Sequence, residues 1–102
     1  MTLALRISLE CGETHCCFTL DDQLFVSRPV RGDEVLFDLP GFEEFVVLDV
    51  DRASHVINGR CYIVCVPKQL DSPKAVVELY EAFKACFGYK LMEVDGSKRP
   101  SV

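Results

Sequence analysis

The stretch DSPKAVVELYEAFKACFG, residues 71–88, decides how the rest of the chain is read. Asp71 or Ser72 offers a side-chain acceptor for the first free amide groups of a helix, and Pro73 follows where a missing N–H costs nothing. Val76, Leu79, Tyr80, Phe83 and Phe87 then recur at spacings of three and four, which places them on one apolar stripe. Gly88 supplies the residue that most readily ends such a helix. Cys86 stands close to the stripe and is expected to pack with it.

A one-sided helix needs a sheet to cover, and the flanking sequence supplies strands. From Thr2 to Glu10, Leu3, Leu5, Ile7 and Leu9 alternate with polar residues, the pattern of a strand with one buried face. Gly12-Glu13-Thr14 predicts a turn and His15 to Leu20 the returning strand. Asp21-Asp22-Gln23 predicts a second turn, and Leu24 to Ser27 a short strand stopped by Arg28-Pro29. Further strands are expected at Glu34 to Phe37, at Glu44 to Val50 with a bend at Asp51 to Ser54, and at Tyr89 to Val94. Asn58-Gly59, set between Val56-Ile57 and Cys61 to Val66, suits a two-residue hairpin, and the latter run is apolar enough for a central strand.

These elements predict an α+β fold: a strongly curved antiparallel sheet, or a small open SH3-like barrel, of about six or seven short strands, with one C-terminal helix before the last strand. The Pro29-x-x-Gly32-Asp33 hairpin entry has the flavour of such barrels, but it recurs in unrelated sheets. Residues 1–96 form one expected domain and residues 97–102 a flexible tail. A length of 102 residues with 49% hydrophobic content suits one core.

No apolar run approaches the roughly 20 residues of a membrane-spanning helix, and Arg6 interrupts any leader-like segment. A cytoplasmic setting is the expectation, with all six cysteines as free thiols. Cys61 and Cys65 lie about 13 Å apart along one strand at ~3.3 Å per residue, too far to share a zinc ion or a disulfide. Cys16 and Cys17 point to opposite faces. Cys11, His15 and Cys16 bracket the first hairpin loop, where Cys11 and Cys16 are expected to face each other as small packing residues, a redox pair being the alternative. No cofactor, metal or catalytic residue is assigned.

Charge carries the functional expectation. Nine acids between Asp21 and Asp51 face only Arg28 and Arg31, a balance of −7, whereas the residues from Arg52 onward carry +3 and the first twenty −1, giving the net −5. Such a surface repels a phosphate backbone and suits a basic protein. The leading expectation is a non-enzymatic protein-binding module of inhibitor, immunity or adaptor type. It presents Asp38, Phe42, Glu43, Glu44, Asp49 and Asp51 to a basic partner, with a homodimer as a further option. Phe42, between Pro40-Gly41 and two glutamates, is its anchor unless it folds back over the sheet. A second reading is a small metal-dependent enzyme using Asp49, Asp51 and His55. A third is a nucleic-acid-binding barrel using Arg52, Arg60, Lys68, Lys90, Lys98 and Arg99.

Overall fold

The computed structural model describes residues 1–55, 59 and 61–94. Along the chain run β1 (Thr2–Cys11), β2 (Thr14–Leu24), β3 (Glu34–Phe37), β4 (Val46–His55), β5 (Cys61–Cys65), β6 (Lys68–Gln69), α1 (Pro73–Phe87) and β7 (Leu91–Glu93), the last reached through a 3-10 turn at Gly88–Lys90. The hairpin expected at Asn58-Gly59 and the tail at 97–102 fall outside the described residues.

The fold is α+β, with a seven-stranded, mostly antiparallel sheet that does not close and a helix before the last strand. The order is β3-β4-β5-β1-β2-β7, with β6 also on β1. The expectation of a purely antiparallel sheet is corrected at its centre. There β5 runs parallel to β1, Ala4 opposite Tyr62 and Arg6 opposite Val64. β6 continues the same line, Leu9 opposite Lys68, with the pairing offset by one residue. The break falls at Val66-Pro67, because proline has no N–H to give a ladder.

Alternation on β1 works as the sequence implies. Leu5, Ile7 and Leu9 are buried on the face that receives Phe18 and Leu20 of β2 and the helix stripe. The helix begins at Ser72, whose hydroxyl accepts from the Ala75 amide at 3.1 Å, and ends where the Gly88 amide bonds the Lys84 carbonyl. Its aromatic side chains join the sheet. The Phe83 ring lies 5.4 Å from Phe18 and 5.0 Å from Phe37, and Phe87 lies 5.9 Å from Phe37. Tyr80 packs edge-on to Phe18, and its hydroxyl donates to Glu93 at 2.5 Å, fastening β7. Cys86 does not pack as expected. It is exposed, because the last helical turn keeps only Phe87 against the core.

Two bulges replace expected turns. β2 does not stop at Leu20. It runs on to Leu24, and the pairing shifts from Leu5–Leu20 to Leu3–Gln23, so β2 carries one extra residue. Asp22 takes φ 57° there, a left-handed conformation that aspartate tolerates better than most residues. The two acids that resemble a turn signal therefore bend a continuous strand, and residues 25–30 follow as irregular chain rather than as the expected strand. In β4, Val50 pairs with Cys65 and Arg52 with Val64, leaving Asp51 as the extra residue where a bend was expected. β4 begins at Val46 rather than Glu44, because the chain at 43–45 is still completing the loop from Pro40-Gly41.

Phe83→Ala should destabilise the fold by about 3–5 kcal/mol in a denaturant titration, since the ring is fully buried among three others. Asp22→Val should cost about 1–2 kcal/mol through left-handed strain, while Asp22→Gly should leave the unfolding midpoint unchanged or raised.

Candidate functional site

The loop between β3 and β4 carries most of the residues singled out by charge. Leu39-Pro40-Gly41-Phe42 forms a turn closed by the Phe42 amide on the Leu39 carbonyl at 3.2 Å. Gly41 has φ 88°, the value that the third residue of a Pro-Gly turn of this kind requires. Leu39 drops into the core, and the turn throws the next residues outward.

Phe42 retains 37% of its surface and Phe45 60%, so neither ring is folded away under the sheet. They stand beside an open groove of about 670 Å³, floored by Val46, Leu70 and Leu79 and bordered by Glu43, Glu44, Asp71 and Glu78. Among the described residues that line it, Lys68 is the one base, and its amine already donates to the Val47 carbonyl at 3.1 Å. The groove is therefore apolar below and acidic at its rim. Phe45 and Glu78 were not singled out from the sequence, and Asp71 was considered only as a helix cap. A second aromatic directly after the acidic pair was the available signal for Phe45, while Asp71 and Glu78 reach the groove only through the packing of the helix.

The remaining expected residues lie elsewhere. Asp38 is exposed at the end of β3 and lines a different cleft. Asp49 is exposed on β4 opposite Glu34, two carboxylates side by side across the ladder. Asp51, displaced by the bulge, pairs at 2.5 Å with Arg52 and lines a small cleft that also contains Arg28 and Arg31. Acidic character therefore weakens toward that end of β4.

The bulge also separates Asp49 and Asp51 from the simple alternation that would put them on one face. The His55 side chain lies outside the described residues. Among the described residues, no group of three or more His, Cys, Asp or Glu side chains is arranged to hold a metal ion. Of the bases considered for nucleic acid, Arg60, Lys98 and Arg99 fall outside the described residues, Arg52 is paired with Asp51, and Lys68 is held by β4.

The first hairpin places the cysteines differently from expectation. Its two-residue turn sets Cys11 opposite Thr14 and Cys16 opposite Leu9, so the two thiols do not face each other directly. Burial, followed by the neighbouring Cys17 and Glu93, pushes the Cys16 thiol up to about 12. Burial, followed by Asp49, pushes Cys65 up to about 11. Both thiols therefore stay protonated at neutral pH and are poor nucleophiles.

Comparison with family models, with curated proteins and with solved structures finds no match to this chain.

The buried thiols predict an alkaline limit on stability. Unfolding lets Cys16 and Cys65 ionise at their ordinary 9.0, whereas the native state holds both protons until about 12 and 11. Stability should be fully present below pH 9.0 and decline as the pH rises toward those values, read as a falling denaturant midpoint. At neutral pH, iodoacetamide followed by peptide mass spectrometry should find exposed Cys86 labelled well before Cys16 and Cys65.

Proposed function

We propose that this chain is a non-enzymatic protein-binding module that captures a basic partner through the loop between β3 and β4, with Phe42, Glu43 and Glu44 at the centre of the contact. Inhibitor, immunity and adaptor roles all fit that chemistry. The observation that carries the reading is the groove at Phe42 and Phe45. Two aromatic rings keep substantial exposure on a floor of aliphatic side chains, inside a border of four carboxylates; Glu78 lies 3.8 Å from the Lys74 amine, and the lysine lining the groove, Lys68, is engaged with the backbone.

Aromatic side chains carry a disproportionate share of binding energy once a partner excludes water from them, and the surrounding acids select a basic partner and speed its approach. Asp49 and Glu34 extend the same sign along the neighbouring strands. Asp51 contributes less, because Arg52 already neutralises much of its charge. A metal-dependent enzyme on Asp49, Asp51 and His55 gains no support, since the bulge and the Arg52 pair pull the two aspartates into different surroundings.

Reversing Glu43 and Glu44 to Lys should leave thermal unfolding within experimental error of the parent and abolish recovery of the partner by affinity capture from the native host. Phe42→Ala should weaken the purified complex at least tenfold in calorimetry. Unchanged capture by the charge-reversed protein would end this reading.

A further inference from the structure

The end of the sheet opposite β7 is unfinished in a specific way. β3 pairs with β4 on one side only. The Val50 amide bonds the Asp33 carbonyl at 2.8 Å, and this fixes the phase of the ladder. By antiparallel alternation, Val35 and Phe37 exchange hydrogen bonds with β4, while the main-chain groups of Glu34 and Leu36 are directed away from it. On that outer side, no main-chain partner for β3 exists among the described residues.

A second unfinished edge faces it. β7 pairs with β2 only at Phe18, Thr19 and Leu20, so the part of β2 beyond the bulge has no strand on its outer side among the described residues. The sheet curls until these two edges border one slot of about 560 Å³. Residues 33–39 line one bank and residues 23–27 the other, with Leu5 and Phe87 reaching the floor. Leu24 is 81% exposed, Leu36 54%, and Val26 completely. The charged residues lining the slot are Asp33, Glu34 and Asp38, and no lysine or arginine is among the described residues that line it.

We propose that this slot receives an extended, basic segment of another protein, added as a strand between β3 and the far half of β2. Because β3 and β2 run in opposite directions in this sheet order, the added strand lies parallel to one bank and antiparallel to the other. Its main chain satisfies the outward groups of Glu34 and Leu36. Apolar side chains on one face cover Leu24, Val26 and Leu36, and lysines or arginines meet the three carboxylates. A stretch of roughly five to seven residues spans the bank at ~3.3 Å per residue.

A second copy of this chain is the wrong occupant. Antiparallel pairing of β3 with itself through the outward groups of Glu34 and Leu36 gathers the Glu34 carboxylates of both copies on one seam, with like charge near like charge. The site is separate from the Phe42 groove and does not depend on it.

Strand addition draws its affinity mainly from the backbone, so a generic probe is adequate: a fluorescent acetylated peptide of alternating Lys and Val, titrated into the full chain. It should bind, and it should shift and protect the amide resonances of Glu34 and Leu36. Affinity should fall at least tenfold when the peptide backbone is N-methylated, when Val alternates with Glu instead of Lys, or in Leu36→Pro, which deletes an outward N–H while leaving the β4 ladder intact.

Should Leu36→Pro not fold, the Glu34→Lys/Asp38→Lys double variant carries the test. It should lose the Lys peptide and gain the Glu peptide. Four results overturn the proposal: undiminished binding of the N-methylated peptide, no binding at millimolar peptide, resonance shifts confined to Phe42, Glu43 and Glu44, or a sedimentation dimer abolished by Leu36→Pro. The third result would still leave the loop groove standing as a binding site.

Discussion

Phe83 meets two rings that come from distant places in the sheet. Phe18 belongs to β2, near one end of the strand order, and Phe37 belongs to β3, at the other. One helical side chain therefore ties the sheet's extremities to a common centre. Aromatic pairs of this kind are worth roughly 0.5–1.5 kcal/mol each beyond the area they bury. Curvature thus depends on the helix more than on any hairpin, and a helix held less firmly would let β3 swing out and the sheet flatten.

That tie also explains why the exposed features gather where they do. With its ends drawn inward but not joined, the sheet keeps an unfilled seam, and the loop leaving β3 must turn sharply to re-enter β4. Pro40 and Gly41 make the turn, and the cost is an exposed aromatic pair at its exit. Carboxylates concentrated between Asp21 and Asp51 occupy both regions, while Arg52 and Lys74 stand in ion pairs and Lys68 is held by the Val47 carbonyl. Fold and charge distribution reinforce each other: the least complete part of the architecture is also the most negative.

What the sequence revealed followed from local chemistry. The helix was legible from its cap, proline, stripe and terminal glycine, because each acts within a few residues. β1 was legible because strict alternation survives only where one face is buried. The bulges were not, since an extra residue breaks alternation in the same way that a turn does, and Asp21-Asp22 has the composition of either. Parallel pairing of β1 with β5 left no local trace, because the partners are separated by most of the chain. Cys11 and Cys16 were misaligned by the same limitation: register follows from the length of the turn, here two residues. In the loop groove, Phe42 and its glutamates could be found by charge and punctuation, whereas Asp71 and Glu78 join only through docking of the helix.

The parallel pairing at the centre has a consequence for biogenesis. On the ribosome, residues 2–24 emerge able to form only the β1–β2 hairpin, and the other edge of β1 waits for Cys61–Cys65. Until then an apolar strand offers open main-chain groups to any neighbouring nascent chain. Closing a loop of that span is entropically expensive, so assembly is expected to be slow for a chain of this size and to hinge on synthesis past the helix. Exposure to aggregation or to chaperones is therefore concentrated in the interval between translation of the first strand and of its distant partner.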